Sequence, residues 1–217
     1  MFISFEGIEG SGKSTATRLV AEALQDRGFD PVLTREPGGS ALGRSLRSIL
    51  LDARTGRISG RAELYLFLAD RAQHVAEVIN PALEAGQIVL CDRYCDSTFA
   101  YQGYGRGLDP EQLRRVNATA TGDLLPDLTL LLDLPVPCGL ERAGRRNRDA
   151  GTTISEGRFD AESVKFHERV RQGYLTLAAE EPERFAVIDA SQCVDDVVLQ
   201  CLSAVETALR HRGRGLE

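Results

Sequence analysis

The stretch Phe2-Ile3-Ser4-Phe5-Glu6-Gly7-Ile8-Glu9-Gly10-Ser11-Gly12-Lys13-Ser14-Thr15 decides the fold. A short apolar strand, Phe2–Phe5, runs into a glycine-rich turn, and the turn opens a helical pattern over Ser14–Arg27 that Gly28 closes as a C′ glycine. Gly7 to Ser14 satisfies G-x-x-x-x-G-K-[ST] in the strand-before, helix-after setting that this motif requires. Gly7, Gly10 and Gly12, with Glu9, Ser11 and Thr15, form a loop whose backbone curls so that successive N–H groups face phosphate oxygens. Lys13 supplies a point charge for the β- and γ-phosphates, and the Ser14 hydroxyl is suited to ligate magnesium. The blander reading is a glycine-rich turn with a solvated lysine. Composition speaks against it: 24 of the 26 basic residues are arginine, and one of the only two lysines, Lys13 and Lys165, stands where the motif needs it.

Outward from this P-loop, short apolar runs alternate with longer amphipathic ones, the pattern of an α/β protein with a parallel sheet. Strands are predicted at Phe2–Phe5, Pro31–Thr34, Ile88–Cys91, Leu128–Asp133 and Phe185–Asp189, giving a five-stranded parallel sheet with helices on both faces. Helices are predicted at Ser14–Arg27, Ala41–Leu51, Pro110–Thr121, Val136–Arg146, Ala161–Glu180 and Val194–Arg210. A further helical stretch runs from Arg61 to about Ala85, with Leu64, Phe67, Leu68, Val75, Val78, Ile79 and Leu83 at helical spacing, and Pro81 predicts a kink or restart in it. Residues 1–217 read as one P-loop kinase domain. The Gly/Arg/Asp/Thr-rich stretch Gly144–Gly157 reads as a mobile insertion and His211–Glu217 as a frayed tail.

Charge and composition narrow the partners. At 42% hydrophobic and 27% charged this is an ordinary globular chain, and its net charge of −6 argues against general attachment to nucleic acid or to an anionic membrane. No apolar run approaches the 18 residues of a membrane span, and the N-terminus lacks the basic n-region of a signal peptide, so a cytoplasmic protein is expected. The five cysteines (91, 95, 138, 193, 201) make no C-x-x-C pair and read as reduced thiols rather than a zinc site or a disulfide framework.

A P-loop fixes phosphate chemistry but leaves the acceptor open. The N-K-x-D and D-x-x-G segments of switch GTPases are absent, and a motor or transporter ATPase needs more chain, which leaves a small kinase. A second run, Leu90-Cys91-Asp92-Arg93-Tyr94-Cys95-Asp96-Ser97-Thr98-Phe99-Ala100-Tyr101-Gln102, ends a buried strand in an acid and a guanidinium at the carboxyl edge, where open α/β sheets bind ligands. Asp92 can hold magnesium, directly or through water, and Arg93 can fork onto an acceptor phosphate. A strand-end ion pair is the blander reading of these two, and a P-loop in the same sheet weighs against it.

The run Leu90–Gln102 resembles the signature segment of thymidylate kinases. The P-loop, Thr34-Arg35-Glu36-Pro37-Gly38-Gly39-Ser40, Leu66-Phe67-Leu68-Ala69-Asp70-Arg71-Ala72-Gln73-His74 and Pro126-Asp127-Leu128-Thr129 follow in that family's order, so the likeness covers about residues 1 to 190. The resemblance implies that Phe67 stacks on thymine, that Arg71 donates to a thymine carbonyl, and that Thr98 and Gln102 contact the base. Tyr101 would lie against sugar C2′ and exclude a 2′-hydroxyl, and Glu9 would approach the sugar 3′-hydroxyl or the magnesium shell. On its own, Phe67 also reads as a core residue of an amphipathic helix, but Arg71 one turn later on the same face has no place in that reading.

The resemblance is to the bacterial type, whose catalytic arginine sits in a lid. Gly10 occupies the P-loop position that carries arginine in other members, and Arg145, Arg146 and Arg148, with Arg142 just before them, fall in the expected lid at about residues 144–158. The catalytic group is then expected among Arg145, Arg146 and Arg148, although a charge run is ordinarily a solvated helix face. Arg158 matches the arginine that opens the post-lid helix and is expected at the substrate; the residue before it is commonly Asp in the family and is Gly157 here. A homodimer is implied, with the apolar positions of the Arg61–Ala85 helix as candidate interface. His74, His167 and His211 share no metal-like spacing, and an ionised phosphate acceptor needs no base, so none is given a catalytic role.

The expected reaction is transfer of the γ-phosphoryl of Mg-ATP to dTMP, giving dTDP and ADP. The alternatives are another deoxynucleoside or nucleoside monophosphate kinase and, in a different class, a nucleotide-dependent regulator with little turnover. An adenine pocket is expected near Asp189–Gln192, after the last strand.

Overall fold

A computed structural model describes residues 1–151 and 157–211. The middle of the expected insertion and nearly all of the expected tail lie outside the described residues. Five strands, β1 (Phe2–Glu6), β2 (Pro31–Arg35), β3 (Ile88–Asp92), β4 (Leu128–Asp133) and β5 (Phe185–Asp189), form one sheet in the order β2-β3-β1-β4-β5. Every neighbouring pair is parallel. The central strands β1, β3 and β4 are buried along almost their whole length because both faces are covered, whereas the edge strands β2 and β5 mix buried and exposed positions.

One face of the sheet packs Ile3, Phe5, Leu130 and Leu132 against Val20 and Leu24 of α1 (Lys13–Gln25) and against Val197, Cys201 and Val205 of α9 (Val194–His211). The other face presents Leu131 and Phe185 to Phe166, Val170 and Tyr174 of α8 (Val164–Glu180). The remaining helices are α2 (Ala41–Leu51), α3 (Gly60–His74), α4 (Asn80–Glu84), α5 (Cys95–Thr98), α6 (Pro110–Thr121) and α7 (Val136–Asp149).

The Arg61–Ala85 stretch, expected to kink or restart at Pro81, stays helical through a π-helical turn, Val75–Ile79, between α3 and α4, and α4 carries Pro81 in its first turn where a missing N–H is tolerated. Two departures from the sequence reading have local causes. Helix α7 continues past the predicted end at Arg146 to Asp149, so the first part of the expected insertion is helix. Helix α8 begins at Val164 rather than Ala161, because the Ser163 hydroxyl caps it by accepting from Phe166 N at 3.2 Å.

Residues 95–105 are helical, and the sequence reading assigned them no element. Helix α5 leads into a π-helical segment, Phe99–Gly105, held by close approach to α8. A Cβ on Gly173 of α8 would stand 2.7 Å from the Tyr104 ring. Packing rather than propensity makes this helix.

Of the apolar positions named for a dimer surface, Leu64, Leu68, Val75 and Ile79 are buried within the chain's own core, and Phe67, Val78 and Leu83 are partly buried. The outward apolar side chains on the packed pair α2 and α3 are Leu42, Ile49 and Tyr65. Among the described residues no helix is long and apolar enough to cross a membrane.

Candidate active site

Parallel pairing sets β1 beside β3, with Phe5 opposite Asp92, so the loop after β1 and the Asp92-Arg93 pair after β3 emerge at one sheet edge. A cavity of about 390 Å³ opens there. Of the expected residues, Glu9, Gly10, Gly12, Lys13, Ser14 and Thr15 line it from the P-loop side, and Asp92 and Arg93 from β3. Phe67, Arg71, Thr98, Tyr101 and Gln102 line it from α3 and the 95–105 segment, and Arg146 from α7.

Gly7 and Ser11 lie behind the loop and act through single atoms. Lys13 Nζ donates to the Gly7 carbonyl (3.1 Å), the Ile8 carbonyl (2.7 Å) and Ser11 Oγ (3.3 Å). Burial, with Arg93 nearby, lowers the Lys13 pKa to about 8 against the opposing pull of Asp92, Glu9 and Glu6. The Gly7 carbonyl also accepts from Arg93 Nη1 at 3.0 Å, so the two cations converge on one oxygen. Gly10 has φ +72, and a Cβ there would stand 2.0 Å from the Gly139 carbonyl at the start of α7. That contact leaves no space for a side chain at this position of the P-loop.

Arg93 is a non-glycine residue at φ 74, a left-handed conformation costing about 1–3 kcal/mol that the surroundings must impose. Beyond Gly7, its guanidinium donates to Ser97 Oγ, the hydroxyls of Tyr174 and Tyr101, and Glu9 Oε1 at 3.1–3.3 Å. It lies 4.9 Å from the centre of the Tyr101 ring. Burial works against its charge, but the two tyrosines, Glu9 and Asp92 keep the guanidinium firmly ionised. Beneath it, Glu6 at the end of β1 accepts from Tyr94 N (2.7 Å), Ser97 Oγ (2.6 Å) and Tyr174 OH (2.8 Å). Burial and Asp96 raise its pKa to about 7. The sequence reading gave Glu6 no role; its signal was an acid closing a buried strand.

Ser14 Oγ donates to Asp92 Oδ2, which brings the two expected magnesium ligands into contact at the N-terminus of α1. They offer a hydroxyl and a carboxylate, hard oxygens of the kind that hold magnesium together with water and phosphate oxygens.

At the far end of the cavity, Phe67 is half-buried, its ring centre 6.2 Å from that of Phe159, and Tyr101 meets Phe159 edge-on at 5.5 Å. Phe159 was missed because it follows the insertion, where no periodicity marks it. Arg71 is buried. Its Nε donates to Glu36 at 2.8 Å, its Nη1 to Thr98 Oγ1 at 2.8 Å and to Asn117 Oδ1, and its Nη2 to the Tyr94 carbonyl at 3.0 Å. Four of the five N–H groups of a guanidinium are thereby engaged. Gln102 Nε2 donates to Glu63 Oε1 at 2.9 Å.

The four arginines of α7 are all exposed, but only two of them border the cavity. Arg142 and Arg146 line the cavity. Arg145 is 82% exposed, 3.9 Å from Asp149, and Arg148 is exposed outside the cavity. Arg158 also lies outside the lining: its Nη1 pairs with the buried Glu63 at 2.7 Å, its Nε donates to the Leu50 carbonyl, and it stacks 4.4 Å from the Phe159 ring. The lining also includes Arg35, Arg47 and Asp160, to which the sequence reading gave no role.

A family model for thymidylate kinase matches residues 5–200. The chain belongs to the thymidylate kinase family. It is 73% identical over 217 residues to a thymidylate kinase of Desulfovibrio desulfuricans, covering all of both chains. It is 60% identical over 209 residues to one of Nitratidesulfovibrio vulgaris, covering 96% of this chain and 97% of that one. Among solved structures, the thymidylate kinase of Ehrlichia chaffeensis superposes with a TM-score of 0.75 at 35% identity, covering 94% of this chain and 97% of that one. The fold is the P-loop kinase fold of that family. The protein is an enzyme of this type, a nucleoside monophosphate kinase acting on dTMP.

Proposed function

We propose that this cavity transfers the γ-phosphoryl group of Mg-ATP to dTMP, with the residue roles that follow. The observation that carries the assignment is the meeting of Lys13 and Arg93 on the Gly7 carbonyl, at one end of a cavity whose other end is walled by Phe67, Tyr101 and Gln102. Two cations that share an oxygen are placed to hold donor and acceptor phosphates side by side, and positioning with charge neutralisation is most of what phosphoryl transfer requires. The amides of the Gly7–Thr15 loop and Lys13 hold ATP, and Arg93 grips the acceptor phosphate. Ser14 and Asp92 hold magnesium, which when bound offsets charge on the phosphate oxygens.

Phe67 stacks on the base, and the remaining N–H of Arg71 donates to a thymine carbonyl. Thr98 and Gln102 face the same ring. Tyr101 blocks a 2′-hydroxyl, and Glu9 meets the sugar 3′-hydroxyl or the magnesium shell. Arg146, the one of the three expected lid arginines that lines the cavity, covers the transferring group. Arg158 supports Phe159 rather than touching substrate. The protein works in the cytoplasm as a homodimer, for which Leu42, Ile49 and Tyr65 supply the outward apolar side chains.

A coupled ADP-release assay with ATP and each nucleoside monophosphate in turn tests the assignment. Turnover is expected to be highest with dTMP; turnover no greater than with dCMP, AMP or GMP would overturn it.

A further inference from the structure

Glu9 is a buried acid inside a phosphate cradle, and its two oxygens have different surroundings. Oε1 accepts from Arg93 Nη2 and from the Tyr101 hydroxyl. Oε2 faces Nδ1 of His167, a fully buried residue of α8, at 3.1 Å. The pair is close but poorly aligned, and neither atom has another hydrogen-bond partner. On the opposite side of the ring, Nε2 lies 3.1 Å from the Phe159 carbonyl. Both ring nitrogens therefore face groups that only accept: a proton on Nδ1 serves the carboxylate, and only a ring protonated at both nitrogens also donates to the Phe159 carbonyl.

Phe159 and Asp160 follow the expected lid, and Asp160 accepts from Asn147, the neighbour of Arg146 on α7. His167 thus touches the P-loop acid through one nitrogen and the backbone of the post-lid segment through the other.

We infer that His167 is a positioning residue for phosphoryl transfer: it holds Glu9 Oε2 away from the phosphate-binding cations and sets the Phe159–Asp160 backbone against the P-loop. The inference rests on the placement of Glu9 and Arg93 at the acceptor given above. The alternative partners of the carboxylate are Lys13 and Arg93, the two groups that the phosphates need. Glu9 Oε1 already takes one N–H of Arg93; with His167 replaced, Oε2 turns to the same guanidinium and the carboxylate competes with the acceptor phosphate. Together with Arg93 and Lys13, His167 overcomes the cost of burying the Glu9 charge and holds that carboxyl well below the usual carboxylate range.

A double-mutant cycle tests this, with His167→Phe keeping an aromatic ring of similar volume. In H167F, kcat/KM for dTMP is expected to fall by about tenfold while KM for ATP changes by less than about twofold. In a Glu9→Gln background the same substitution is expected to cost less than about twofold, because the carboxylate through which His167 acts has gone. Losses that multiply in the double variant would overturn the inference and leave a packing role only. Should H167F fail to fold, His167→Gln carries the same cycle with one donor retained. Long-range proton–nitrogen NMR on the unmodified protein gives an independent readout: Nδ1 is expected to carry a proton, and a bare Nδ1 overturns the inference. An unmodified chain inactive on dTMP would instead defeat the underlying reading of the site.

Discussion

Lys13 and Arg93 lie within reach of one carbonyl, yet their surroundings push their charges in opposite directions. Lys13 is desolvated and stands beside another cation, so its proton is held less tightly than in water. Its folded pKa of about 8 lies below the 10.5 of an ordinary lysine in water, so between these values the unfolded chain binds more protons than the folded one. The sign follows: Lys13 makes stability rise with pH across that window, while the charged form that grips phosphate is lost from the folded protein. Affinity for a non-hydrolysable ATP analogue is therefore expected to fall by about tenfold per pH unit once pH passes about 8, read by calorimetry. Affinity that stays flat to about pH 9.5 would show that burial does not depress this amine.

Arg93 is locked in the charged form, and its recognition is planar. Arg93→Ala is expected to lower kcat/KM for dTMP by about a thousandfold, and Arg93→Lys to recover little of that, because an ammonium cannot reproduce the fork. Near-normal turnover of either variant would remove Arg93 from the acceptor site.

At the scale of elements, legibility depended on whether the cause was local. The five strands and most helices were readable because apolar period and glycine stops lie within each segment. Helix 95–105 was not, since Gly103 and Gly105 weaken it and the support comes from α8, about seventy residues later in the chain. The fate of Arg71 was hidden for the same reason: its partners Glu36, Tyr94 with Thr98, and Asn117 come from three different parts of the sequence. For α7, composition gave a run of arginines, and the helix orients them. Arg146 faces the cavity, while Arg145 and Arg148 face outward. The Gly139 carbonyl against Gly10 fixes the start of the same helix on the P-loop. Removing a charge that meets the transferring group costs about a hundredfold or more in kcat, whereas a solvated one costs little. Arg146→Ala is accordingly expected to lower kcat by at least about a hundredfold and Arg145→Ala by no more than about threefold, in steady-state assays at saturating substrates. Equal losses would place the lid charge elsewhere.

Across the whole molecule, the strand order accomplishes what no single segment does. Placing β3 beside β1 brings residues about eighty positions apart to one edge, and the chain then wraps α3, the 95–105 segment and α7 around the space in front of it. In the proposed assignment the two halves of this cavity rest mainly on different elements, the donor half on the β1–α1 loop and the acceptor half on Arg93, α3 and the 95–105 segment. Stability measurements can separate them, because a ligand that binds only the folded chain stabilises it by about 2.7 kcal/mol at a hundred times its Kd. ATP and dTMP are each expected to raise the melting temperature of the unmodified protein. Arg93→Ala is expected to abolish the dTMP shift and keep the ATP shift, and Lys13→Met to do the reverse. The comparison is made within each variant, so any loss of intrinsic stability cancels. If either substitution abolished both shifts, donor and acceptor would share one set of contacts, and the division of the cavity into two independently built halves would be wrong.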